Sequence, residues 1–126
     1  MKRSAIAIIL IVAVLILSTA GLLVLKKYKD IFDEKFDEIS LLNEKGDNIA
    51  TAKAARELTD FWLEKHVILC RVVRHTQLDQ ITIAIARLEP LALNGEKGEF
   101  AAEVLRCKIL LDDIWDSELP VLRNIF

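Results

Sequence analysis

Apolar and polar positions alternate along this chain in two distinct textures. From Ala5 to Leu25 there are 21 residues without a charge, 14 of them Ile, Leu or Val. Beyond Lys26 the apolar residues come at steps of three and four with charges between them, which is the pattern of helices that bury one side. A helix rises about 1.5 Å per residue, so the first texture covers roughly the 30 Å hydrocarbon thickness of a bilayer. Insertion values of about −0.3 to −0.6 kcal/mol per central aliphatic residue sum to roughly −4 to −8 kcal/mol over this run. Ser18, Thr19 and Gly21 offset only part of that. The pattern predicts a short basic tail and transmembrane segment over 1–25, and a helical body over 26–126.

Within the body, residues 26–45 continue the first helix as a stalk, with Tyr28, Phe32, Phe36, Ile39 and Leu42 on one side. Gly46 and Asp47 mark a stop and a restart, because Gly accepts the left-handed helix end and Asp is a favoured N-cap. A long helix over 47–74 follows, its buried side written by Ala52, Ala55, Thr59, Trp62, His66, Leu69 and Val73. The run Val67–Val73 is apolar nearly all round, so it is expected to be the most buried part of the body. Trp62 reads as a core anchor whose N–H needs a partner. Thr76 and Asp79 approximate a capping box for a helix over 76–93, with Leu78, Ile81, Ile85, Leu88 and Ala92 inward and Pro90 kinking or ending it near Leu88 or Glu89. Phe100, Val104, Cys107, Leu111 and Ile114 define a last helix over 97–117, which Pro120 stops, leaving an apolar tail over 118–126. Short connections make neighbours antiparallel. The fold class is therefore all-α: an N-terminal transmembrane helix continuing into a stalk, then an up-down antiparallel bundle of about three further helices.

The N-terminus fits two fates. Lys2 and Arg3 before Ile6–Leu17, with Ser18-Thr19-Ala20 as a small-residue site, match a cleavable signal peptide. The apolar run continues to Leu25, however, and stops only at Lys26-Lys27, a length that a spanning helix needs and a cleaved one does not. An uncleaved signal anchor is the expectation. Basic residues flank both ends of the span, so the positive-inside count is nearly tied; the short leading tail favours a single-pass cell-membrane protein with its body outside the cytoplasm.

Composition narrows the partners. Lys2 and Arg3 precede the span, which leaves 15 basic against 19 acidic residues in the body. That balance excludes a nucleic-acid footprint, which needs a basic face to displace phosphate counterions, while Lys26, Lys27 and Lys29 can meet lipid headgroups. The expected partners are the bilayer and a protein. Gly 4 and Pro 2 suit long helices.

Several features resemble an uncharacterised domain-of-unknown-function family of small, membrane-anchored helical proteins of Gram-positive spore-forming bacteria. They are the basic-then-apolar start, the helix bearing Trp62, the His75–Leu78–Ile81 segment, the Ala86-Arg87-Leu88 step and the closing Asn124-Ile125-Phe126. Ile49 stands where such families often carry Trp, and Pro90 is unexpected. The resemblance implies the architecture and no activity.

Candidate chemistry is sparse. His66 and Cys70 are four apart on one helix, and His75 with Cys107 would complete a Cys2His2 set suited to zinc; the competing reading makes the cysteines small buried hydrophobes and His66 and His75 structural. An exported body would also allow a Cys70–Cys107 disulfide. Asp112, Asp113, Asp116 and Glu118 form an acidic cluster near the expected end of the last helix, read as a solvated face. G-x-S-x-G, phosphate-loop and H-E-x-x-H motifs are missing, so neither an enzyme nor a cofactor protein is expected. The expected function is a membrane-tethered interaction module, with Leu119, Leu122, Ile125 and Phe126 of the tail as contacts. The alternative is a metal- or redox-responsive sensor using Cys70, Cys107, His66 and His75.

Overall fold

A computed structural model describes the backbone apart from Val72 and Phe126, and side chains as far as Ser117, Val72 again excepted. Its elements are α1 (Lys2–Lys45), α2 (Asn48–Leu69), α3 (His75–Ala86), α4 (Leu88–Leu93) and α5 (Lys97–Ile125). The described residues contain no strand.

α1 is a single uninterrupted helix of 44 residues. The two textures of the sequence share it: every residue from Met1 to Val14 is exposed, whereas Leu25, Phe32, Phe36 and Ile39 are buried. Gly46 ends it in the left-handed conformation at φ 80°, its N–H bonded to the Asn43 carbonyl. Asp47 then caps α2, accepting from the Ala50 N–H at 3.1 Å. Both features are as the sequence indicates, and for the reasons given there.

The packing pairs α1 with α2, α2 with α3 and α4, those two with α5, and α5 with α1. The four layers thus close a ring, up, down, up and down, in the manner of a four-helix bundle. Phe32 sits at the centre, with its ring 5.3 Å from Phe61 and 5.1 Å from Trp62. The Trp62 N–H donates to the Thr82 hydroxyl at 2.7 Å, which itself donates to the Leu78 carbonyl. At the far end from the apolar segment, the buried Asn43 amide donates to the Lys97 carbonyl and the Lys97 ammonium donates to the Glu44 carbonyl. A cation there also complements the negative end of α1.

Four expectations need correction. α2 ends at Leu69, not Arg74; Val67 is 62% and Ile68 38% exposed. The run Val67–Val73 is therefore not the most buried part of the body: among its described residues Val67, Ile68 and Arg71 are exposed, while Leu69 and Val73 are buried and Cys70 is half-buried. α3 opens at His75 with Arg74 as N-cap and no side-chain cap bond, so Thr76 does not cap it. The helix expected over 76–93 does break as Pro90 indicated, but one residue before Leu88: α3 closes at Ala86 and α4 opens at Leu88. Proline lacks an N–H and its ring collides with the carbonyl four residues back, so the break falls at Arg87, and Pro90 lies in the first turn of α4, where no partner is needed. Finally, Pro120 does not stop α5, which continues to Ile125.

Candidate functional site

The lower end of the bundle, where α1 passes from its striped half to its uniformly apolar half, gathers most of the reactive side chains. His66 and Cys70 close the last turn of α2, one above the other as residues four apart must be. Five residues on, His75 opens α3 and returns its ring to the same place. The Cys70 sulfur lies 3.4 Å from His66 Nδ1 and 3.6 Å from His75 Nδ1. The donor atoms of all three residues fall within 4.8 Å of one another. The two imidazoles stand edge to face with centroids 6.1 Å apart, and His66 meets the Trp62 ring edge-on at the same separation. Asp79, one turn into α3, lies 3.8 Å from His66 Nε2. His66 and Cys70 are half-buried and His75 is exposed, so the cluster opens to the outside.

Three of the four residues that the sequence put forward for a metal are brought together. Cys107 is not among them. It is fully buried in the core on the inner face of α5, and burial pushes its thiol up to about 12. Both cysteines are free, so they form no disulfide. Asp79 was missed as part of this cluster; its only signal was its place one turn past His75, which reads equally as a capping residue.

The acidic cluster resolves differently. α5 does not end near it, and Asp112 pairs with the Lys29 ammonium at 3.0 Å while Asp33 does the same from the other side. These bonds, that to Asp112 foremost, hold Lys29 above its ordinary pKa. The acidic residues therefore serve in part as the α1–α5 contact. Glu118 and the tail residues Leu119, Leu122, Ile125 and Phe126 lie outside the described side chains.

An all-helical bundle, built around the second half of a long N-terminal helix whose first half is apolar and unpacked, is the class that fold and site define. The chain belongs to the domain-of-unknown-function family DUF4363, which it matches over residues 20–125. No curated protein and no solved structure matches it.

Proposed function

We propose that this chain is a membrane-tethered, single-pass interaction module without catalytic activity, an accessory or scaffold that holds a helical bundle against the cell membrane for a membrane or envelope protein. The observation that carries the reading is the continuity of α1. Its apolar half is long enough to cross a bilayer, with a mean hydropathy of 3.1 and 6% of that window buried. Its other half is the core of the bundle, with no joint between them. A side chain such as Leu10, 60% exposed, would forfeit about 25 cal/mol per Å2 of that surface if it stayed in water.

Register supports the same arrangement. Phe32 meets Phe61 and Trp62, so antiparallel helices set Cys70 level with the segment around Val24. Lys29 meets Asp112, so antiparallel packing sets Ser117 of α5 near the level of Leu25, where the stripe begins. Lys26, Lys27, Arg71 and Arg74 are all exposed and share this level, where each is worth about 1 kcal/mol against anionic headgroups. The body then meets the lipid with a basic rim; its proposed place outside the cytoplasm rests on the short leading tail and not on this rim. Tethering raises the effective concentration of a weak contact surface near a membrane partner. Leu119, Leu122, Ile125 and Phe126 are the proposed contacts.

The test is recovery of the intact chain from detergent-solubilised membranes, repeated after deletion of Leu119 to Phe126. The expected result is loss of the co-purifying protein with the helical circular-dichroism signal retained. Retention of the partner after deletion removes the tail from the reading, and recovery of the intact chain in the aqueous fraction removes the tether.

A further inference from the structure

We infer that His66, Cys70 and His75 form a binding site for a single borderline-soft divalent cation, of which zinc is the natural member, at the lower rim of the bundle. The proposal is independent of the tether and goes beyond the interaction reading. It stands on three features of the cluster.

The first is spacing. Zinc holds a thiolate at about 2.3 Å and imidazole nitrogens at about 2.0–2.1 Å in tetrahedral geometry. Those lengths at a tetrahedral angle set sulfur and nitrogen roughly 3.5–3.6 Å apart. The sulfur of Cys70 stands 3.4 Å from His66 Nδ1 and 3.6 Å from His75 Nδ1. The two sulfur–nitrogen separations that a bound ion would impose are therefore present: the four-residue step on α2 brings His66 to Cys70, and the turn into α3 brings His75 to the same sulfur. The histidine nitrogens lie within 4.8 Å of each other, and His75, exposed at the start of α3, is the ring with room to swing.

The second is the surrounding shell. A metal-bound histidine commonly donates its other N–H to a carboxylate, which fixes the tautomer. Cys70 Sγ lies 3.4 Å from His66 Nδ1 and 3.6 Å from Nε2, so the ring must turn to bring Nδ1 onto the cation; Nε2 is then left to Asp79, 3.8 Å away, with the Trp62 ring edge-on to the imidazole. The third is donor chemistry. Two imidazoles and one thiolate suit zinc and exclude magnesium and calcium, which take oxygen. On binding, the Cys70 thiol releases its proton to solvent and its sulfur forms the bond to the cation; no oxidation state changes. Three protein donors leave a fourth position open on the exposed side, available to water or to a donor from a partner or a lipid headgroup.

The experiment uses the full chain in detergent micelles, apo-prepared, titrated with zinc alone against a chromophoric chelator. Expected are one zinc per chain, protection of Cys70 from alkylation with Cys107 unreactive throughout, and a rise in unfolding temperature on addition of zinc. Cys70→Ala and His75→Asn should each abolish the stoichiometric binding and the thermal shift with helical content unchanged. His75→Asn guards against misfolding, since its side chain is exposed. Asp79→Asn should weaken binding about 10–100-fold while leaving one zinc per chain. Failure of the wild type to compete with the chelator, or unchanged stoichiometry in folded Cys70→Ala or His75→Asn, overturns the assignment.

Discussion

The two halves of α1 differ both in how apolar they are and in how the apolar residues are arranged, and that difference decides what surrounds each. From Ala5 to Leu25 the apolar residues run all round the helix, and from Met1 to Val14 every residue is exposed. From Lys26 onward they keep to one side, and Phe32 and Phe36 are fully buried. A helix with a polar face can rest between water and protein; one without such a face needs an apolar medium on every side. On the tether proposed above, the same backbone passes between two solvents with no change of secondary structure. The level at which the stripe begins fixes where the bundle stands, which is also where the His66, Cys70 and His75 donors gather.

The sharpest way to break this comparison is to insult each half in turn. Placing Arg at both Val12 and Ile16 costs about 2.5–3.5 kcal/mol per charge at a helix centre in lipid. The chain should lose its resistance to alkaline extraction from membranes while circular dichroism of the bundle is retained. Phe36→Ala should do the reverse. Deleting a fully buried phenylalanine costs about 3–5 kcal/mol, and at about 4–8 °C per kcal/mol for a body of this size the unfolding temperature should fall by more than about 10 °C, with extraction unchanged. An effect of either variant in the other assay would mean that the two halves are not separate environments.

How far the sequence revealed this follows from the kind of signal at each place. The inward residues of α3, α4 and α5 were legible because Leu78, Ile81, Ile85, Leu88 and Ala92, then Phe100, Val104, Cys107, Leu111 and Ile114, keep a helical period, and every one is buried. Periodicity survives even where the helix breaks, so Pro90 moved a boundary without turning any of these residues outward. The lower end misled. Val67 and Ile68 look like core by composition, yet the chain leaves the helix at Cys70 with nothing in the local sequence stronger than propensity to say so. Pro120 misled in the opposite sense, because a proline costs a helix one bond and an unfavourable contact but does not forbid it. The donor cluster was half legible. His66 and Cys70 are fixed by spacing on one helix, but the approach of His75 depends on the turn, and the exclusion of Cys107 depends on which face of α5 turns inward.

A subtler test reads the packed half of the molecule by pH. Cys107 has its thiol pushed up to about 12 from 9.0 by burial, so the folded state resists losing that proton while the unfolded chain gives it up readily. Its contribution is whole below about pH 9 and is lost as pH rises toward 12. Lys29, raised by its bonds to Asp112 and Asp33, works in the same direction, since its charged form is favoured in the fold and disappears at high pH. The unfolding temperature should therefore decline on going from pH 8 to pH 11. Cys107→Ala should flatten that decline, even though the variant starts lower.

The smallest expected effect lies on the surface between α1 and α5. Lys108 donates to Asp37 across this interface, with the carboxylate largely exposed. Such pairs contribute about 0.2–1 kcal/mol, because solvent screens the attraction and two long side chains must be held still. A double-mutant cycle on Lys108→Ala and Asp37→Ala should return a coupling in that range, reduced further at about 1 M salt, where the screening length is only about 3 Å. If the coupling exceeded about 2 kcal/mol, charge pairing would rival the loss of a core side chain. The striped half of α1 would then owe its place to α5's charges as much as to Phe32, Phe36 and Ile39, and burial alone would no longer explain why that half is covered and the other is bare.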